Sequence, residues 1–160
     1  MIVIAPDPIL HQKSEEVTKF DRNLQKLIRD MWSELGQNKS GIGLSAVQIG
    51  VLKRVLIIDT SAMPVTKENP FNPIKIVMMN PTFKPVPTIL GPVPGKEGCL
   101  SFPGQEYSVK RYPMIHVKYQ NLTGSKKELF LSGLNSVVFQ HELDHLDGIT
   151  FKDRFEDDEG

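Results

Sequence analysis

Gln140-His141-Glu142-Leu143-Asp144-His145-Leu146-Asp147-Gly148 is the stretch on which the reading of this chain turns, because as a helix it becomes the element that everything else must pack around. Residues i and i+4 of a helix share a face, so His141 and His145 can offer ring nitrogens to one metal ion. Glu142 then lies about 100° round the axis, beside a water on that metal. The alternative is a surface helix that happens to carry two of the chain's four histidines and several acids. Upstream, Ser132 is a candidate N-cap, Leu134, Val137, Val138 and His141 fall on one stripe, and Asp147-Gly148 is the expected stop.

Outward from this helix, the clearest other periodicity is Leu24, Leu27, Ile28, Met31, Trp32 and Leu35. It predicts a helix capped by Asp21 and ending before Gly36 at C′. Val51–Thr60 and Ile74–Asn80 are apolar, β-branched strand candidates, the second stopped by Pro81. Ser61–Pro73, with Pro64, Pro70 and Pro73, reads as a long loop, and Thr82–Gly95 as irregular or edge structure. Met114–Gln120 alternates, turns at Asn121–Gly124 and returns through Lys127–Leu131, an antiparallel pair with His116 on its solvated face. Met1–Ala5 is a surface-packed arm leading into a turn at Pro6-Asp7-Pro8, and Glu156–Gly160 a frayed acidic tail. The expected fold class is α+β: mostly antiparallel strands packed around a central metal-bearing helix, with a second helix in the N-terminal half, in one domain over residues 1–160.

Charge narrows the partners. Lys plus Arg equals Asp plus Glu at 19 each, so neither nucleic acid nor an anionic membrane is expected. There is no charged-then-apolar leader and no apolar run near the length of a membrane span, which makes the cytoplasm the default compartment.

Three segments carry chemistry. Gly41-Ile42-Gly43-Leu44-Ser45-Ala46-Val47-Gln48 is a Gly-rich loop, lacking the Lys-Ser/Thr of a phosphate loop and the third glycine of a dinucleotide site; its two glycines allow unusual dihedrals or a close backbone approach. Glu97-Gly98-Cys99-Leu100-Ser101 holds the only cysteine, which can be buried filler, a nucleophile or a ligand. If Cys99 joins His141 and His145, three protein ligands leave the fourth tetrahedral position open, the arrangement of a catalytic rather than a structural site. A divalent metal lowers the pKa of its water from ~15.7 toward ~7, and Glu142 can take that proton and pass it to a departing amine. The backbone N–H of Leu100 and the side chain of Gln48 are the candidate donors to an oxyanion.

Together Gly41–Gln48, Glu97–Ser101 and Gln140–Gly148 resemble, in order and spacing, the three signature motifs of the peptide deformylase family, with weaker similarity at Asp7–Leu10, Glu16-Val17 and Pro103–Arg111. The resemblance implies hydrolysis of an N-formylmethionyl nascent peptide to formate and a free amino terminus. It implies Fe²⁺ as the metal in the cell, with Zn²⁺, Ni²⁺ or Co²⁺ able to substitute. It makes Cys99, His141 and His145 ligands, Glu142 the proton shuttle, and Gln48 and the Leu100 amide the holders of the formyl oxygen. It places Ile42 and Gly43 along the peptide with Leu134, Val137 and Val138 around the methionine, a stripe that reads equally as core. Glu97 and Arg111 match a salt bridge that steadies the cysteine segment. Ser45 and Val47 depart from the usual alanine and proline of the first motif, and Glu106 stands where many members carry a basic residue. The resemblance leaves ribosome association possible but doubtful, since residues 149–160 after Gly148 are fewer than the long helix with which some members dock on the ribosome.

Rival readings are a zincin-like metallopeptidase and a non-catalytic metal-binding module. A metzincin needs a third histidine at 151, where Phe151 stands, and a gluzincin needs a glutamate on a later helix. An intact Glu142 beside an open coordination position speaks against the inert module.

Overall fold

The computed structural model describes residues 1–89 and 91–159; Leu90, in the stretch expected to be irregular, and Gly160, in the expected tail, lie outside them. Among the described residues, seven strands form two sheets. β1 (Gly43–Ser45), β2 (Val55–Asp59), β3 (Lys75–Pro85), β6 (Met114–Gln120) and β7 (Lys126–Ser132) lie side by side in that order, every pair antiparallel. β4 (Val93–Gly98) and β5 (Glu106–Arg111) make a separate antiparallel pair. The helices are α1 (Arg22–Gln37), α2 (Gly133–Leu146) and α3 (Phe151–Glu159).

Strand β2 explains the layering. Successive side chains of a strand point to opposite faces, and here both faces are covered. Val55 and Ile57 pack with Leu24, Ile28, Met31 and Leu35 of α1, while Leu56 and Ile58 pack with Val138, Phe139, Leu143 and Leu146 of α2. The long sheet thus lies between two helices, which is why β2 is apolar throughout instead of alternating. Each fully buried aliphatic or aromatic side chain contributes roughly 1.5–3 kcal/mol, so the apolar side of α2 is anchored strongly while its other side is free to carry polar groups.

α2 begins and ends where the sequence reading puts it, but the Ser132 side chain makes no capping hydrogen bond. Ser132 is its N-cap residue and Asp147 its C-cap, and Gly148 follows at φ +74°, the left-handed geometry that ends a helix. A Cβ there would also lie 2.8 Å from the carbonyl carbon and oxygen of His11. Gly148→Ala is therefore expected to destabilise the fold by roughly 2–5 kcal/mol, the sum of left-handed strain and overpacking. Urea denaturation checks it through a lowered midpoint at unchanged slope.

Several expectations need correction. α1 runs through Gly36 to Gln37, because Asn38 caps it by donating from Nδ2 to the Glu34 carbonyl at 2.7 Å. Val51–Leu52 does not join β2, which starts at Val55. Pro81 does not stop β3. The ladder with β6 skips from Met79 to Thr82 through a bulge whose Asn80, at φ +49°, binds the Val17 N–H and carbonyl with its side chain. The Gly-rich loop is not irregular: Gly43–Ser45 pairs with Leu56–Ile58, and a 3₁₀ turn follows over Ala46–Ile49. In the stretch expected to be irregular or edge strand, Val93 begins β4, an edge strand paired with β5 from Val93↔Arg111 to Gly98↔Glu106, so this expectation needs no correction. Residues 156–159 continue α3 and do not fray, because Phe151 anchors that helix in a core with Leu10, Phe102 and Val109. Among the described residues no helix is long and apolar enough to cross a membrane.

Candidate metal centre

Two segments bring three ligand residues to one point. α2 brings His141 and His145, the segment leaving β4 brings Cys99, and their ligand atoms lie within 4.8 Å of one another. Cys99 Sγ is 3.4 Å from His145 Nε2. A tetrahedral ion with metal–sulfur and metal–nitrogen bonds of ordinary length sets such ligand atoms about 3.4–3.6 Å apart.

One of the two ligand rings is set from behind. His141 Nδ1 donates to Glu97 Oε1 at 2.9 Å, which turns its Nε2 lone pair toward Cys99. His145 is fully buried and its Nδ1 meets no hydrogen-bond partner among the described residues. Burial, reinforced by the charges of His141 and Arg111, lowers its pKa well below the usual imidazole value, so it is the neutral ring that metals bind. Burial also opposes charge on His141, yet hydrogen bonds to Cys99 and Glu97 and the charge of Glu142 hold its pKa well above the usual value. Anionic surroundings that retain a proton at that point favour any cation there. The donor set fits one metal ion.

Behind Glu97 stands Arg111, buried, donating from Nε and Nη2 to the two Glu97 oxygens at 2.8 and 3.0 Å. Burial disfavours both charges, but their partners overcome it: hydrogen bonds from His141 and Arg111 lower the Glu97 carboxyl, and Glu97 with Asp144 raises the Arg111 guanidinium from its ordinary value. Arg111 Nη1 also donates to Asp144 Oδ2 at 2.6 Å. Asp144 escaped the sequence reading; its position three residues after His141 in the same motif was the available signal.

Glu142 is 4% exposed and its Oε1 has no hydrogen-bond partner among the described residues. Burial raises its pKa to about 7, against the pull of His141. Gly43 makes room for it: a Cβ there would come within 2.8 Å of Glu142 Oε2 and 2.7 Å of Val138 Cγ1. Of the two roles open to that glycine, close approach is the one observed.

Gln48 reaches the centre from the 3₁₀ turn. Its Oε1 accepts from the Ser45 N–H at 3.0 Å, and since that N–H can only donate, Nε2 must face the other way. There it meets Ser101 Oγ at 3.1 Å and Cys99 Sγ at 3.7 Å. The Ser45 hydroxyl, absent from the usual motif, adds a second donor to Oε1 at 3.1 Å. Ser101, missed in the sequence, is buried and anchors the Gln48 amide.

A cavity of about 820 Å³ opens beside the centre. Ile42, Gly43, Leu134, Val137 and Val138 all line it, and so do Gln48, Leu100 and Glu142; Lys96 and Glu106 also line it. Val138 is also part of the core, and Leu134 packs against the same cluster. His116 lies elsewhere, stacked on Phe130 and 3.5 Å from Glu128.

The polypeptide deformylase family model matches residues 1–159. The chain belongs to that family. It is 45% identical over 153 residues to the peptide deformylase of Aquifex aeolicus, covering 96% of this chain and 85% of that one. The peptide deformylase of Thermotoga maritima superposes with a TM-score of 0.81 at 35% identity, covering 97% of this chain and 96% of that one. That of Plasmodium falciparum, solved with an inhibitor, gives 0.80 at 37% identity over 97% and 88%. As a deformylase, the chain is a hydrolase that removes the N-formyl group from nascent peptides.

Proposed function

We propose that this deformylase takes N-formylmethionyl peptides at the cavity beside Cys99, His141 and His145, with Glu142 as its proton carrier. The carrying observation is a buried carboxylate oxygen without a partner at the edge of a three-ligand cluster. When bound at Cys99, His141 and His145, a divalent metal supplies a Lewis acid and a water acidic enough to react near neutral pH. Glu142 Oε1 accepts a proton from the attacking water and delivers it to the departing amine nitrogen, a task suited to a group whose pKa is about 7. The formyl oxygen, as it gains charge, receives the Gln48 Nε2–H now making the long contact to Cys99, together with the Leu100 N–H, which meets no backbone acceptor among the described residues. Ile42, Leu134, Val137 and Val138 offer an apolar slot for the methionine side chain, and the peptide backbone runs past Gly43 on the wall of the same cavity.

Fe²⁺ is the metal we assign in the cell, and a thiolate with two imidazoles also accepts Zn²⁺, Ni²⁺ or Co²⁺. The compartment we assign is the cytoplasm, whose reducing conditions keep a lone ligand thiol available. We treat residues 1–160 as one catalytic domain, in keeping with a family match over nearly all of them.

Metal-replete protein incubated with formyl-Met-Ala and, separately, with an internal peptide tests the assignment. Amine release from formyl-Met-Ala alone is expected; cleavage of only the internal peptide overturns it in favour of a peptidase. Cys99→Ala should lose more metal affinity than the ~10–100-fold typical of removing an outer partner of a ligand, measured by competition with a chelator.

A further inference from the structure

Helix α3 touches the metal centre at two places that deformylation as described does not use. Phe151, its first residue, is 1% exposed, and its ring centroid lies 5.5 Å from that of His141 at an interplanar angle of 60°. One turn later Arg154 grips Asp144 with a fork, Nε to Oδ2 at 3.0 Å and Nη2 to Oδ1 at 2.8 Å. Asp144 Oδ2 is the same atom that accepts from Arg111 Nη1. An unbroken line of charge-assisted hydrogen bonds therefore runs from Arg154 through Asp144, Arg111 and Glu97 to Nδ1 of the ligand His141.

Charge explains why the outer end matters. Asp144, Arg111 and Glu97 are all buried, and they amount to two carboxylates sharing one guanidinium. Arg154, with its side chain 45% exposed, brings the second cation from the surface and balances the set. Without it, Asp144 has Arg111 as its only cation, and an uncompensated buried carboxylate is costly. Arg111 is then drawn toward Asp144 and away from Glu97, whose Oε1 both Arg111 Nη2 and His141 Nδ1 contact. The orientation of His141 loosens as a result.

We propose that Arg154 is a positioning residue of the metal centre, acting through Asp144, Arg111 and Glu97 to hold His141 in its ligating orientation. The proposal rests on Cys99, His141 and His145 being the ligands. Lys cannot reproduce a planar fork on one carboxylate, so Arg154→Lys keeps the charge and loses the geometry.

The test is a chelator competition on Co²⁺- or Zn²⁺-loaded protein, with Arg154→Met, Arg154→Lys, Cys99→Ala and the surface control Lys152→Ala compared with wild type. Thermal melting and formyl-Met-Ala kinetics are followed in parallel. Arg154→Met is expected to lose about tenfold or more in metal affinity, within the range for outer partners of ligands, and to lower kcat with KM little changed. Arg154→Lys should fall between it and wild type, and Lys152→Ala should match wild type. Wild-type metal affinity in Arg154→Met, whatever its melting temperature, overturns the proposal; should that variant not fold, wild-type affinity in Arg154→Lys does so. In either case a weakened Cys99→Ala shows that the ligand assignment survives. Wild-type affinity in Cys99→Ala overturns the ligand assignment and the proposal with it.

Discussion

Glu142→Gln is expected to bind metal as wild type does and to lose about 10²–10⁴-fold in kcat for formyl-Met-Ala, the range carried by a positioned general acid–base group. The substitution is close to isosteric, so the fit against Gly43 and Val138 is preserved. The change that bears on the rate is that an amide cannot take up a proton from water; the charge lost with it is one that stands beside His141. Glu142 is not among the three clustered ligands, which is why metal content should stay constant while the rate falls. Parallel measurement of bound metal per chain and of amine release decides the matter, and a Glu142→Gln protein that deformylates at wild-type rate sinks the assignment.

The second large effect is on stability. Arg111→Leu is expected to destabilise the fold by about 3–5 kcal/mol, the cost of removing one partner from a buried ionic network. Against a total stability of about 5–15 kcal/mol for a domain, that is a large fraction. Glu97 is the residue left stranded, since all of its cationic support apart from His141 comes from Arg111, whereas Asp144 retains Arg154. Arg111→Lys should recover only part of the loss, because Nε, Nη1 and Nη2 each serve a different oxygen and a single ammonium cannot span them. Chemical denaturation of the metal-loaded proteins measures both, and a change below about 1 kcal/mol for Arg111→Leu would mean the network contributes little.

What could be read in advance follows the range of the forces involved. The placement of α2 between Ser132 and Gly148, the core of α1 and the β6–β7 hairpin depend on neighbours within a few residues, and their periodicity and caps are visible in the chain. The pairing of β1 with β2 and of β4 with β5, the passage of β3 through Pro81 and the folding of the C-terminal segment into α3 depend on distant partners. A three-residue strand such as Gly43–Ser45 has too little pattern of its own to announce itself.

The metal centre divides in the same way. The sequence by itself determined that His141 and His145 share a face with Glu142 beside them, since helical geometry sets those relations within one turn. It also supplied Cys99 and put Phe151 where a peptidase would need histidine. Only the tertiary structure decided that Gly43 serves to admit Glu142, and that Asp144 and Arg154 stand behind the ligand His141 through Arg111 and Glu97. Those relations join residues tens of positions apart or on different helices, and packing and buried charge balance, not local periodicity, bring them together.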